Sequence, residues 1–208
     1  PFIYIYYDLS SPKMSIVILN GSFDPATRGH IKLAERAQYY VNAEKIIYSP
    51  ANDAYSHKKL TSHEHRRAIL ELSFKSSPLH DLMFVDDFEI SSPKNLFTYE
   101  VFNHFQEKFQ GKKLYLACGA DLIYGMTNPG YWPPENVRKL FANVNLIVFM
   151  RGSKLNDVQT LLENPLLQPF AERIQLIDEE IGEMSSSGFK QGRKDFLCDG
   201  VLEYLSKH

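Results

Sequence analysis

Short apolar runs alternate along the whole chain with longer stretches in which apolar residues recur every three to four positions. The runs at 16–19, 45–48, 82–85, 114–117, 146–149 and 174–177 are mostly apolar with little polar alternation. That pattern predicts strands buried on both faces, as in a parallel sheet. The stretches 30–40, 62–74, 98–109, 134–142, 155–162 and 200–205 carry the helical spacing. Strands separated by helices predict an α/β fold: a single doubly wound parallel sheet with helices on both faces. No repeat, low-complexity tract or linker-like composition change interrupts the pattern, so residues 14–208 are expected to form one domain.

Composition narrows the class without naming a function. The chain has 208 residues, 44% hydrophobic and 23% charged, which suits one α/β domain with a sizeable core. A formal charge of −2 argues against a basic nucleic-acid-binding surface. No apolar run approaches the ~20 residues that span a bilayer, so no membrane partner is expected. The two cysteines, Cys118 and Cys198, are scattered, which suits a reducing compartment better than a disulfide framework. Residues 1–13 are tyrosine-rich and lack the basic start and small-residue cleavage site of a secretory signal. Met14 could be the natural start, and residues 1–13 read as an extension of unknown role. With no targeting signal visible, cytosol or nucleus is the default compartment.

The most informative segment follows the first run. Gly21-Ser22-Phe23-Asp24-Pro25-Ala26-Thr27-Arg28-Gly29-His30 joins a strand to the start of an amphipathic helix. Backbone N–H groups at such a turn, with the helix dipole behind them, favour a phosphate. His30 adds a donor that can carry positive charge. The segment is neither the dinucleotide Gly-x-Gly-x-x-Gly nor the Gly-Lys-Ser/Thr phosphate loop. A second small-residue turn, Gly119-Ala120-Asp121, follows the fourth run. Asp121 there either caps a helix or faces a ligand, and the ligand role gains weight if the two strands are neighbours, because such sheets bind at that switch point.

Two further segments complete the candidate chemistry. The stretch from Asn52 to Leu60, with His65-Arg66-Arg67, is locally basic. Cations there could neutralise phosphates, as phosphoryl transfer requires. His63-Glu64-His65 has the look of a metal fragment, but positions two apart lie on different helix faces, and no metal site is expected. Near the end, Ser185-Ser186-Ser187 precedes Lys190. Serines opening a helix can cap it or donate to phosphate oxygens, and a cation one turn later would sit over the same phosphates.

These landmarks together resemble the nicotinamide/nicotinate mononucleotide adenylyltransferases of the nucleotidyltransferase superfamily, over roughly residues 15–208. In order they are the Gly21–His30 motif, Asp53-Ala54-Tyr55 with Lys58, His65-Arg66, the Thr98 helix, Gly119-Ala120-Asp121, Trp132, Arg151 and the serine triplet. The resemblance implies a Rossmann-like nucleotidyltransferase fold. It also implies adenylyl transfer from ATP to the 5′-phosphate of a pyridine mononucleotide, with Mg²⁺ arriving on the triphosphate. It makes His30 and Lys190 catalytic. It assigns ATP to Gly21, Ser22, Phe23, Thr27, His30, Gly119, Asp121, Ser186, Ser187 and Lys190, and the mononucleotide to Tyr55, His57, Lys58, Thr98, Trp132 and Arg151. The implied partners are small molecules, and a homo-oligomer is compatible.

The pattern departs from the family at several points. Lys190 stands where an arginine is usual, which keeps the charge and loses the guanidinium fork; Arg193 is a candidate substitute. Asn95 stands where relatives often carry a stacking Trp, with Phe88 and Phe97 nearby. His57 replaces half of a common Lys-Lys pair, and the tail is short. Other readings therefore stay open: a phosphopantetheine-type adenylyltransferase or cytidylyltransferase of the same fold, or a catalytically weakened ATP-binding or chaperone-like relative.

Overall fold

The computed structural model describes residues 14–54, 59–150, 153–182 and 184–208. Six parallel strands form one sheet: β1 (Ser15–Gly21), β2 (Lys45–Pro50), β3 (Met83–Val85), β4 (Lys113–Gly119), β5 (Asn145–Met150) and β6 (Ile174–Glu180). Their order is β3-β2-β1-β4-β5-β6, which is doubly wound with its switch point between β1 and β4. All six predicted strands are present, and the last runs three residues beyond the apolar run.

Alternation along β1 explains the two-sided core. Ile16 and Ile18 enter one hydrophobic cluster, while Val17 and Leu19 enter the other. The first cluster is closed by Val101, Phe102 and Phe105 of α3 (Thr98–Lys108) and by Val137, Leu140 and Phe141 of α5 (Pro134–Phe141). The second is closed by Ile31, Ala34 and Ala37 of α1 (Arg28–Val41), Ile69 and Leu70 of α2 (His63–Phe74), and Val201 of α8 (Val201–Lys207). Both faces of the sheet are thus dry, which is why its strands read as apolar runs.

Two short helices fall outside the periodic stretches, and a third buries little. α4 (Asp121–Met126) and α7 (Ser186–Lys190) are six and five residues long, too short to show a hydrophobic stripe. α6 (Leu155–Leu161) contributes one fully buried side chain, Val158. Among the described residues no helix is long and apolar enough to cross a membrane. Cys118 and Cys198 are both free thiols.

Candidate functional site

The sheet brings the two small-residue turns together. β1 and β4 are hydrogen-bonded neighbours, with Ile18 opposite Leu116, so the turns that follow them open side by side at the carboxyl edge. A cavity of about 620 Å³ lies there. One wall is Gly21, Ser22, Phe23 and His30; Asp121 stands on a second side. Ser185, Ser186, Ser187 and Gly188 form a third, extended by Gln191, Arg193 and Phe196.

The first wall is shaped by Phe23. Its backbone is left-handed, with φ of 46°, a conformation that costs a bulky residue about 1–3 kcal/mol. Its ring is 3% exposed and meets His30 edge-on at 5.1 Å and Tyr48 at 5.5 Å. Burying such a ring gains about 1.5–3 kcal/mol, enough to hold the turn.

Thr27 fixes the histidine. The backbone N–H of Thr27 donates to His30 Nδ1 at 3.0 Å. A main-chain amide can only donate, so Nδ1 is the ring's acceptor and Nε2 carries the proton. The Thr27 hydroxyl lies 2.9 Å from the same Nδ1 and donates to the Met184 carbonyl at 2.8 Å. Thr27 itself is wholly buried and is not on the cavity wall. Its link to the cavity is through His30 Nδ1.

The C-terminal segment is laced onto this turn. Ser186 Oγ donates to the Pro25 carbonyl at 2.8 Å, and Lys190 Nζ lies 2.8 Å from the Asp24 carboxylate. Burial pushes the Asp24 carboxyl up, but Lys190 and Thr61 together outweigh it and hold the group below its ordinary value. Ser185 caps α7 by accepting from Gly188 N–H at 3.1 Å. The serine triplet therefore divides its work: one caps, one ties, and Ser187 is exposed on the cavity wall. Lys190 is paired across the motif instead of standing on the wall. Arg193 does stand there, in a two-point pair with Asp195 at 3.0 and 2.8 Å and with its guanidinium 4.3 Å above Phe196.

Several sequence expectations change. Arg66 lies in the locally basic stretch expected to face phosphate, yet its side chain is fully buried. Nε donates to the Thr61 carbonyl at 2.9 Å, Nη1 to Ser22 at 2.8 Å, and Nη2 to Ala51 at 2.6 Å and Asp53 at 2.7 Å. Its fork is spent on main-chain carbonyls and the Asp53 carboxylate, tying the Gly21–His30 turn to the end of β2. Burial raises the Asp53 carboxyl, but Arg66 and His63 outweigh that and hold it low. Arg67 is exposed and paired with Glu71 and Asp87. His63 turns to Asp53 at 2.8 Å while His65 turns to the Tyr204 hydroxyl at 2.8 Å, so the two histidines of the apparent metal fragment part company.

Gly119 ends β4 buried and, unlike the expectation that it touches ATP, is outside the residues lining the cavity; Asp121, which does line it, is the first helical residue of α4, after Ala120 as cap. Asp121 thus faces the cavity and is not the cap. Thr98 opens α3, half-buried. Trp132 lies over Gly125 of α4, 3.6 Å from where a β-carbon there would stand. Thr98 and Trp132 are outside the residues lining the cavity. Asn95 donates to the Ala54 carbonyl at 2.7 Å. Tyr55, His57, Lys58 and Arg151 lie outside the described residues. Gln191 and Phe196 carried no sequence signal; Arg193 was visible only as a cation one turn past Lys190.

A family model described as cytidylyltransferase-like matches residues 18–191. A nicotinamide/nicotinic acid mononucleotide adenylyltransferase of Arabidopsis thaliana is 27% identical, covering 93% of this chain and 88% of its own. Nicotinamide/nicotinic acid mononucleotide adenylyltransferase 1 of Bos taurus is 28% identical, covering 96% and 89%. Among solved structures, a Plasmodium falciparum nicotinic acid mononucleotide adenylyltransferase complexed with NaAD shares the fold, with a TM-score of 0.75 at 21% identity and coverage of 94% and 96%.

Proposed function

This chain belongs to the cytidylyltransferase-like family, and we propose that it transfers the adenylyl group of ATP to the 5′-phosphate of nicotinamide or nicotinate mononucleotide. The products are NAD or its deamido form, and pyrophosphate. The observation that carries the reading is the cavity at the β1/β4 switch point, where His30 and the phosphate turn face the serine segment 185–187. Adenylyltransferases of this name among the relatives, similar over most of both chains, support it.

The reaction needs position and charge neutralisation more than covalent chemistry. A phosphate oxygen of the mononucleotide forms a bond to the α-phosphorus, and the bond to the bridging oxygen opposite breaks as pyrophosphate leaves in line. Gly21 and Ser22 offer backbone to the phosphates, and Phe23 keeps that turn in place. His30, with its proton held on Nε2 by the Thr27 contact, donates to an oxygen of the transferred group as charge builds. Ser187 and Arg193 stand where the departing phosphates would lie, and Asp121 is placed for the nucleoside side. Lys190 reaches the same phosphates by leaving Asp24. Thr98 and Trp132, with Tyr55, His57, Lys58 and Arg151, are the proposed mononucleotide residues.

Among the described residues, no three His, Cys, Asp or Glu side chains gather to hold a metal ion. The donor set of the cavity, hydroxyls and main-chain N–H groups, suits a triphosphate that brings its own Mg²⁺, with Asp121 the carboxylate on the cavity wall. Bound there, the ion would draw charge from the phosphate oxygens.

The test is pyrophosphate release from ATP and Mg²⁺ with each pyridine mononucleotide and, in parallel, with phosphopantetheine. Release with either mononucleotide supports the proposal. Release with phosphopantetheine alone replaces it with a phosphopantetheine-type adenylyltransferase. Binding of ATP with no release from any acceptor would point to a relative that keeps the fold without the reaction.

A further inference from the structure

Glu89 lies in the segment between β3 and α3 and is 6% exposed. Its carboxyl receives two hydrogen bonds, from Asn20 Nδ2 at 2.6 Å and Ser49 Oγ at 3.0 Å. Asn20 and Ser49 are register partners on β1 and β2, so one carboxyl spans the carboxyl ends of both strands. Asn52, just past β2, holds the same segment by its main chain, donating to the carbonyls of Glu89, Ile90 and Ser92 at 3.4, 3.3 and 2.6 Å. Asn95 continues the lacing at the Ala54 carbonyl.

The two ends of this arrangement matter. Asn20 immediately precedes Gly21 of the phosphate turn, and the segment leads directly into Thr98 at the start of α3. A buried carboxyl is costly to solvate and is tolerated where donors meet it. An aliphatic side chain would fill the space but could not hold two strand ends at once.

We propose that Glu89 is a positioning residue, fastening segment 86–97 across the ends of β1 and β2 and so setting Thr98 relative to the phosphate turn. The role of Thr98 toward the mononucleotide rests on the function proposed above; the anchoring does not. Burial raises the Glu89 carboxyl to about 7, against the bonds from Ser49 and Asn20 and the nearby charge of Arg66, which lower it. The other charged groups of its own segment are engaged elsewhere, Asp86 with Lys108, Asp87 with Arg67 and Lys94 with Glu100.

The experiment compares Glu89→Ala and Glu89→Gln with the wild type by hydrogen exchange and by steady-state kinetics. The two hydrogen bonds lost in Glu89→Ala together correspond to roughly tenfold in an equilibrium. Glu89→Ala is therefore expected to exchange amides of 86–97 about tenfold faster, with β1, β4 and β5 unchanged. The KM for the mononucleotide should rise by a similar factor while the KM for ATP stays within about twofold. Glu89→Gln, which still reaches Ser49 or Asn20, should recover most of the protection. Ser49→Ala, missing one donor, should move the same amides in the same direction and serves if Glu89→Ala does not fold. Unchanged exchange in 86–97 would overturn the anchor. Equal losses for ATP and mononucleotide would overturn its role in setting the acceptor side. Should the wild type transfer to no mononucleotide, the function falls while the exchange result still decides the anchor.

Discussion

The carbonyl of Met184 presses against α1 at Gly29, closer than a β-carbon on that residue would allow. The same carbonyl accepts the Thr27 hydroxyl at 2.8 Å. Gly29 is thus the point where the C-terminal segment crosses the helix that carries His30. Gly29→Ala is expected to destabilise the protein by about 1–3 kcal/mol, as overpacking does, and to lower turnover more than stability explains, because it lifts segment 184–188 off the site. Melting temperature and kcat measured together check this; a variant with wild-type kcat would mean that the crossing does not shape the site.

His30 accepts the Thr27 N–H at Nδ1, so the ring's N–H is on Nε2. His30→Ala is expected to lower kcat by roughly 10²-fold or more, the loss typical of removing one transition-state donor. ATP affinity should change far less. Single-turnover rates and direct ATP titration separate the two effects.

The strands and most helices were legible because both faces of the sheet are buried, so β1, β4 and β5 show as unbroken apolar runs. α4 and α7 were not, since six and five residues make too little helix to display a period. In the site, Gly21–His30 and the serine triplet were readable as local chemistry. What the sequence hid was who partners whom. Arg66 looks like its neighbour Arg67, but only tertiary contacts turn it inward to Ser22 and Ala51. Glu89 was equally invisible, because the register of Asn20 with Ser49 makes its binding place.

Lys190 and Asp24 form an ion pair in which the lysine is half-exposed and the aspartate 8% exposed. A triphosphate offers the lysine a stronger partner. Lys190→Arg should match or exceed wild-type activity if the cation's task is phosphate contact, since the fork grips two oxygens. Lys190→Ala should raise the KM for ATP roughly tenfold or more, the value of one charge-assisted bond. A severe loss in the arginine variant would show that Lys190 does not occupy a phosphate-contact position.

Stability should depend on pH in two opposite ways. Burial raises the Glu89 carboxyl from 4.5 to about 7, so between these values the native state keeps a proton that the unfolded chain releases. Stability therefore falls as pH rises through that window and levels off above it. Asp24 is held below 3.8, so its contribution is present above that value and is lost as pH falls below it. Melting temperatures across pH should show the upper fall in the wild type and not in Glu89→Gln. The acid loss should weaken in Asp24→Asn. A Glu89→Gln curve parallel to the wild type between these values would contradict the buried carboxyl.

The central claim is that the cavity at the β1/β4 switch point moves the adenylyl group and not a terminal phosphate. The most direct measurement follows ATP radiolabelled either on the α- or on the γ-phosphate, incubated with Mg²⁺, the protein and each pyridine mononucleotide. The α-label is expected in the dinucleotide and the γ-label in pyrophosphate, with one pyrophosphate released for each dinucleotide formed. Label from the γ-position in the acceptor, or ATP consumed with no α-label transferred, would contradict it.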